Sequence, residues 1–138
     1  MVDLPSLYSL AEGNGTPVYW FDLGLAESLS VQMEDGSCAI AMDPWRMLTL
    51  ADEKVKLAHE LGHCATGAFY NCYAARELRQ KHEQRANRWA YKMLIPEDEL
   101  AEALRKGYRE PWELAEYFDV TEPFLREALE YYRITAGG

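Results

Sequence analysis

His59-Glu60-Leu61-Gly62-His63 reads H-E-x-x-H, a spacing that can do chemistry. On an α-helix, residues four apart share a face, so the two imidazoles can converge on a single metal ion. Glu60 follows the first histidine, where its carboxylate can reach a water on that metal. Two of the chain's three histidines fall inside these five residues, which counts against a chance match. The chemistry on offer is metal-assisted amide hydrolysis. Zinc lowers the pKa of its water towards ~7 and polarises the scissile carbonyl, while Glu60 takes the water's proton and passes it to the leaving amine.

A catalytic zinc usually has three protein ligands and one open position. The motif supplies His59 and His63. Candidates for the third are His82 and Glu83, both on a helix expected from about Ala75 to Leu94. They differ by about 100° in direction, so only one faces the metal. Glu83 is favoured, because its side also carries Ala86 and Ala90, small residues suited to a tight contact between helices. His82 then reads as a partly exposed polar residue. Asn87, one turn beyond Glu83, either accepts a hydrogen bond from the outward nitrogen of His59 or His63, or lies on a solvated surface. The oxyanion donor is not identified. Tyr70 and Tyr73 are near along the chain, but tyrosine occurs nine times.

The elements that must position these residues can be read in order. Residues 5–12 form a short helix that Gly13-Asn14-Gly15 ends and Pro17 cannot extend. Val18-Tyr19-Trp20-Phe21 is β-branched and aromatic, hence a strand. Leu29–Glu34 alternates apolar and polar residues, Asp35-Gly36 is a hairpin turn signal, and Cys38–Met42 returns. The expectation is a small antiparallel sheet, one edge of which could add an extended peptide through main-chain hydrogen bonds. Asp43-Pro44 breaks the strand. Thr49 with Asp52 resembles a capping box at the start of a helix from about Leu50 to Thr66. Leu57, Leu61, Cys64 and Ala68 make its core side. Gly62 costs that helix roughly 1 kcal/mol relative to alanine, which points to close approach of another backbone beside the metal. Gly67–Tyr73 is a connection. Pro96 with Glu97-Asp98-Glu99 opens a third helix that Gly107 ends. Pro111–Phe118 and Glu122–Arg133 complete a helical tail, with Thr121 as N-cap.

The fold class expected is therefore α+β: a small antiparallel sheet packed on a helical bundle that contains the H-E-x-x-H helix, with a C-terminal helical tail. At 138 residues it reads as one domain, in which 1–48 hold the first helix and sheet, 49–96 the metal-binding helices and 97–138 the tail. Apolar residues at 49% and charged residues at 27% suit a globular chain, and no apolar run nears the roughly 18 residues that span a bilayer. The N-terminus lacks the basic start of a secretory signal, which places the protein in the cytoplasm. Cys38, Cys64 and Cys72 are odd in number and lack C-x-x-C spacing, so neither a disulfide framework nor a cysteine zinc site is expected, and Cys64 reads as a small buried apolar residue.

Net charge argues about partners. The chain carries −9, and 97–138 alone holds eleven acidic against five basic residues, a balance of −6. The tail's apolar spacing (Leu114-Ala115, Val120, Leu125, Leu129) is like that of a helix-turn-helix. A recognition helix bearing Glu122, Glu127 and Glu130 would nevertheless be repelled by phosphate, so direct nucleic-acid binding is not expected. The tail reads as a structural cap that could dock a protein substrate.

Ala58-His59-Glu60-Leu61-Gly62-His63, followed by Glu83-x-x-Ala86-Asn87-x-Trp89-Ala90 and Met93-Leu94-Ile95-Pro96, resembles the ImmA/IrrE family of metallopeptidases over roughly residues 18–96. That family is carried largely by bacteria, phages and mobile elements. The resemblance implies one zinc ion per chain, His59, His63 and Glu83 as its ligands and Glu60 as the catalytic residue. The interval between His63 and Glu83 is also similar to the gluzincin arrangement. There an acidic residue one turn after the glutamate supports a histidine ligand; Asn87 stands here and cannot supply that charge. Trp89 replaces the family's more usual phenylalanine. The resemblance implies an endopeptidase acting on a regulatory protein such as a phage or mobile-element repressor, for example one of the helix-turn-helix type. The competing class is a metal-stabilised regulator that binds such a protein without cutting it.

Overall fold

The computed structural model describes residues 1–24, 26–69 and 76–136. Within them, α1 (Leu4–Gly13) precedes β1 (Val18–Trp20), β2 (Ser28–Gln32) and β3 (Cys38–Met42). Five further helices follow: α2 (Leu50–Thr66), α3 (Arg76–Leu94), α4 (Glu97–Arg105), α5 (Pro111–Phe118) and α6 (Glu122–Ala136). The α+β class is as the sequence predicts. No described helix is long and apolar enough to cross a membrane.

The sheet is mixed, not purely antiparallel, with strand order β1-β3-β2. The expected hairpin pairs β2 with β3 antiparallel, with Ser28 opposite Met42 and Gln32 opposite Cys38. β1 joins the other side of β3 in parallel, Val18 opposite Ile40. β1 and β2 thus flank β3 on either side, so the strand that arrives last occupies the centre. All five residues of β3 are buried, as a central strand covered on both faces requires.

α2 begins where its cap predicts: the Thr49 side chain accepts from the Asp52 amide at 3.0 Å. The reciprocal half differs, for Asp52 accepts from the amide of Leu48 instead of Thr49. Gly67, at φ 66°, ends the helix in the left-handed conformation that glycine adopts without strain. Leu57, Ala58 and Leu61 of α2 meet Ala90 and Leu94 of α3, Leu7 and Ala11 of α1, and Ile40 and Met42 of β3. The tail joins this core through Leu114, Phe118, Leu125 and Ala128. Thr121 caps α6 loosely, its hydroxyl 3.4 Å from the Phe124 amide.

Two features of α2 tie it to its surroundings. Lys54 is 1% exposed, and its ammonium donates to the carbonyl of Phe118 at the end of α5, 2.8 Å away. Burial pushes this lysine below its usual range, against the pull of Asp119, Asp3 and Glu99. Near the other end, Cys64 is joined to Cys38 by a disulfide, which corrects the expectation of unpaired cysteines. Cysteine count and spacing do not reveal which residues meet in space. The last turn of α2 lies over β3 and brings the two Cα atoms to 5.7 Å, within bonding range. Cys72, Tyr70 and Tyr73 lie outside the described residues, as does most of the connection expected over Gly67–Tyr73.

Candidate active site

α2 places His59 and His63 one turn apart on a single face, with Nε2 atoms 3.3 Å from each other. The outward nitrogens are held. Nδ1 of His59 donates to Oδ1 of Asn87 at 2.7 Å, and Nδ1 of His63 donates to the carbonyl of Ala68 at 2.6 Å. With a proton fixed on each Nδ1, the neutral rings direct their Nε2 lone pairs inward, the tautomer a metal ligand needs. Of the two readings for Asn87, the structure favours the hydrogen bond to His59.

Glu83 reaches the same point from α3. Its Oε2 lies 2.9 Å from Nε2 of His59 and its Oε1 lies 3.0 Å from Nε2 of His63. His82, one position earlier, is half-buried on the adjoining side of the helix. Burial opposes charge on either imidazole, yet the Glu83 carboxylate outweighs it and holds both above the usual histidine range. Burial would likewise raise Glu83, but the paired imidazoles keep it well below the usual carboxylate range. The Glu83 carboxylate thus draws both Nε2 atoms to one point, each within 3.0 Å of one of its oxygens. Two imidazole nitrogens and a carboxylate are a donor set of the kind zinc takes. The set fits a metal ion.

Gly62 makes this meeting possible. A Cβ built on it would stand 2.5 Å from the carbonyl oxygen of Ala86, closer than real side chains come. Ala86 and Ala90 are fully buried at the same contact. The close approach expected from an unfavourable glycine inside a helix is thus present, and it sets the distance across which Glu83 reaches the histidines.

Glu60 is 5% exposed, and its side chain lies within 4.8 Å of those of His59 and His63. Its Oε2 accepts a hydrogen bond from the Ser28 hydroxyl at 2.7 Å. His59, Glu60, His63 and Glu83 all line a cleft of about 830 Å³. Ser28, Leu29 and Ser30 of β2 line it, and so do Pro123, Phe124 and Glu127 of α6. Sequence reasoning did not single out Ser28, since a serine in an alternating strand carries no signal of what it faces. It anticipated the tail as a cap; the first turns of α6 also form part of the cleft.

A sequence model of the peptidase M78 family, described as the IrrE N-terminal-like domain, matches residues 42–130, well over half of the chain. A search of curated proteins finds no match.

Proposed function

The chain belongs to the IrrE N-terminal-like family of peptidases, and on that premise we propose that it is a zinc-dependent endopeptidase acting on a specific regulatory protein. The observation that carries this reading is the convergence of His59, His63 and Glu83 beside the carboxylate of Glu60 in one cleft. His59, His63 and Glu83 would hold one zinc ion. When bound, zinc supplies Lewis acidity, making a water acidic enough to lose a proton near neutral pH and drawing electrons from the scissile carbonyl. Glu60 accepts that proton at a carboxylate oxygen and returns it to the nitrogen of the departing amine, which leaves as a neutral group. Asn87 and the Ala68 carbonyl keep the two imidazoles from turning while this happens.

β2 supports a peptide substrate. It is an edge strand of the described sheet, and Ser28–Ser30 line the cleft. An extended segment laid along its free side would gain main-chain hydrogen bonds and pass in front of Glu60. Phe124 and Pro123 add apolar surface to the same cleft. A transcriptional repressor of a phage or mobile element, of the helix-turn-helix type, is the substrate we favour, within the cytoplasm and without direct contact of this chain to nucleic acid. The chain's charge of −9 supports the last point.

The test uses zinc-loaded wild type and Glu60→Gln, each incubated with the repressor encoded nearest to this gene and followed by mass spectrometry. Cleavage at one bond by wild type alone supports the reading. Equal cleavage by both proteins removes Glu60 from the chemistry. A folded wild type that takes up no zinc sinks the peptidase reading and leaves a binding module.

A further inference from the structure

The proposed chemistry needs Glu60 to present one carboxylate oxygen to the attacking water. A glutamate carboxylate turns readily about its last bond, where the torsion is broad and two-fold. Something must therefore hold it. Ser28 Oγ donates to Oε2 of Glu60 at 2.7 Å. The serine itself is fixed, because it opens β2 opposite Met42, a fully buried residue of the central strand.

The preceding residue strengthens the hold. Lys56 pairs with Glu27 at 2.8 Å and with Asp52 at the same distance. Lys56 and Glu60 are four apart on α2 and so share a face. Consecutive residues of one strand entry, Glu27 and Ser28, thus grip consecutive turns of the helix that carries the histidines. The amide of Asp43, donating to the Glu27 carbonyl at 3.0 Å, fastens the same point to the sheet.

We propose that Ser28 is a positioning residue for Glu60, committing Oε2 to the strand so that Oε1 faces the reacting water. The proposal rests on the peptidase reading above. Ser28 has no contact with His59, His63 or Glu83 among its hydrogen bonds, so it acts on the base and not on the metal ligands.

The experiment measures the affinity of the zinc-loaded protein for acetohydroxamate, a small chelator whose acidic proton needs a carboxylate acceptor beside the metal. Wild type, Ser28→Ala, Ser28→Thr and Glu60→Gln are compared, with zinc content and thermal midpoint taken for each. The expectation is full zinc content throughout, about tenfold weaker binding by Ser28→Ala, and wild-type binding restored by Ser28→Thr, which keeps the hydroxyl. Glu60→Gln should weaken binding at least as much. Wild-type affinity in Ser28→Ala overturns the positioning role while leaving the peptidase reading intact. So does a loss that Ser28→Thr fails to restore, since the hydroxyl is then not what matters. Equal binding by wild type and Glu60→Gln overturns both, because Glu60 then accepts no proton beside the metal.

Discussion

Replacing Gly62 with alanine sets two effects of known sign against each other. Helix propensity alone favours the change by about 1 kcal/mol. The new methyl would lie 2.5 Å from the carbonyl oxygen of Ala86, where about 3.4 Å is ordinary contact, so α2 and α3 must part by roughly 0.9 Å. The obstacle is backbone, which cannot swing aside as a side-chain tip does. Overpacking of this kind costs about 1–3 kcal/mol and outweighs the propensity gain at most of that range. We expect Gly62→Ala to lose up to about 2 kcal/mol in denaturant titration of the zinc-free protein. The larger consequence falls on the site. Glu83 sits one turn from Ala86 on α3, and its contacts to the histidines are 2.9 and 3.0 Å. Ligand geometry tolerates displacements of about 0.5 Å, so zinc affinity should fall tenfold or more. Competition with a chromophoric chelator reads that directly. Gly13→Ala is the control: it lies in the last turn of α1 with open space around it, and should be neutral or stabilising. A Gly62→Ala protein at least as stable as wild type, with unchanged zinc affinity, would refute the reasoning.

Three further outcomes are expected. Glu83→Ala should purify with little zinc but retain its helical circular dichroism, because α3 packs through Ala86, Ala90 and Leu94; full zinc retention by the variant would move the third ligand elsewhere. Zinc uptake should release protons, since Glu83 holds His59 and His63 above the usual imidazole range. A raised pKa means the proton persists to higher pH, so apparent zinc affinity should climb between about pH 6 and 8, and calorimetry in buffers of differing ionisation enthalpy should count the protons. The same sign makes the imidazole–Glu83 contribution to metal-free stability strongest below the unfolded histidine pKa and lost as pH rises through the folded one. Affinity that does not vary across that interval would contradict the arrangement. Reducing the disulfide frees a sequence separation of 26 residues and should cost at most about 3.5 kcal/mol, or roughly 10 °C in thermal midpoint. Identical midpoints with and without dithiothreitol, once two thiols have been titrated, would show that the bridge does not constrain the unfolded chain.

Much of this architecture is legible in the sequence because its signals are local. Thr49 marks the start of α2, Gly67 its end and Pro96 the limit of α3, each acting within a turn of itself. The third partner of the histidines was also legible, since an alanine stripe beside Glu83 distinguishes it from its neighbour His82 by direction alone. What escaped was decided by pairing at a distance. β1 lies parallel to β3 because β2 comes between them in sequence and pairs on the other flank of β3, an order that no period in residues 18–42 records. Cys38 and Cys64 meet because a helix end lies over a strand, which spacing cannot report. Ser28 faces Glu60 for the same reason.

Lys54 gives the tail a genetic consequence. Its ammonium is buried on α2 and its acceptor belongs to Phe118, far along the chain. A gene trimmed after residue 110 would still encode both histidines, Glu60 and Glu83, and would look intact by motif. Its product would lose the acceptor of Lys54 together with Leu114, Phe118, Leu125 and Ala128, which belong to the same core as α2 and α3. Residues 111–136 are therefore not a detachable appendage, because they complete the core on which the metal-binding helices rest.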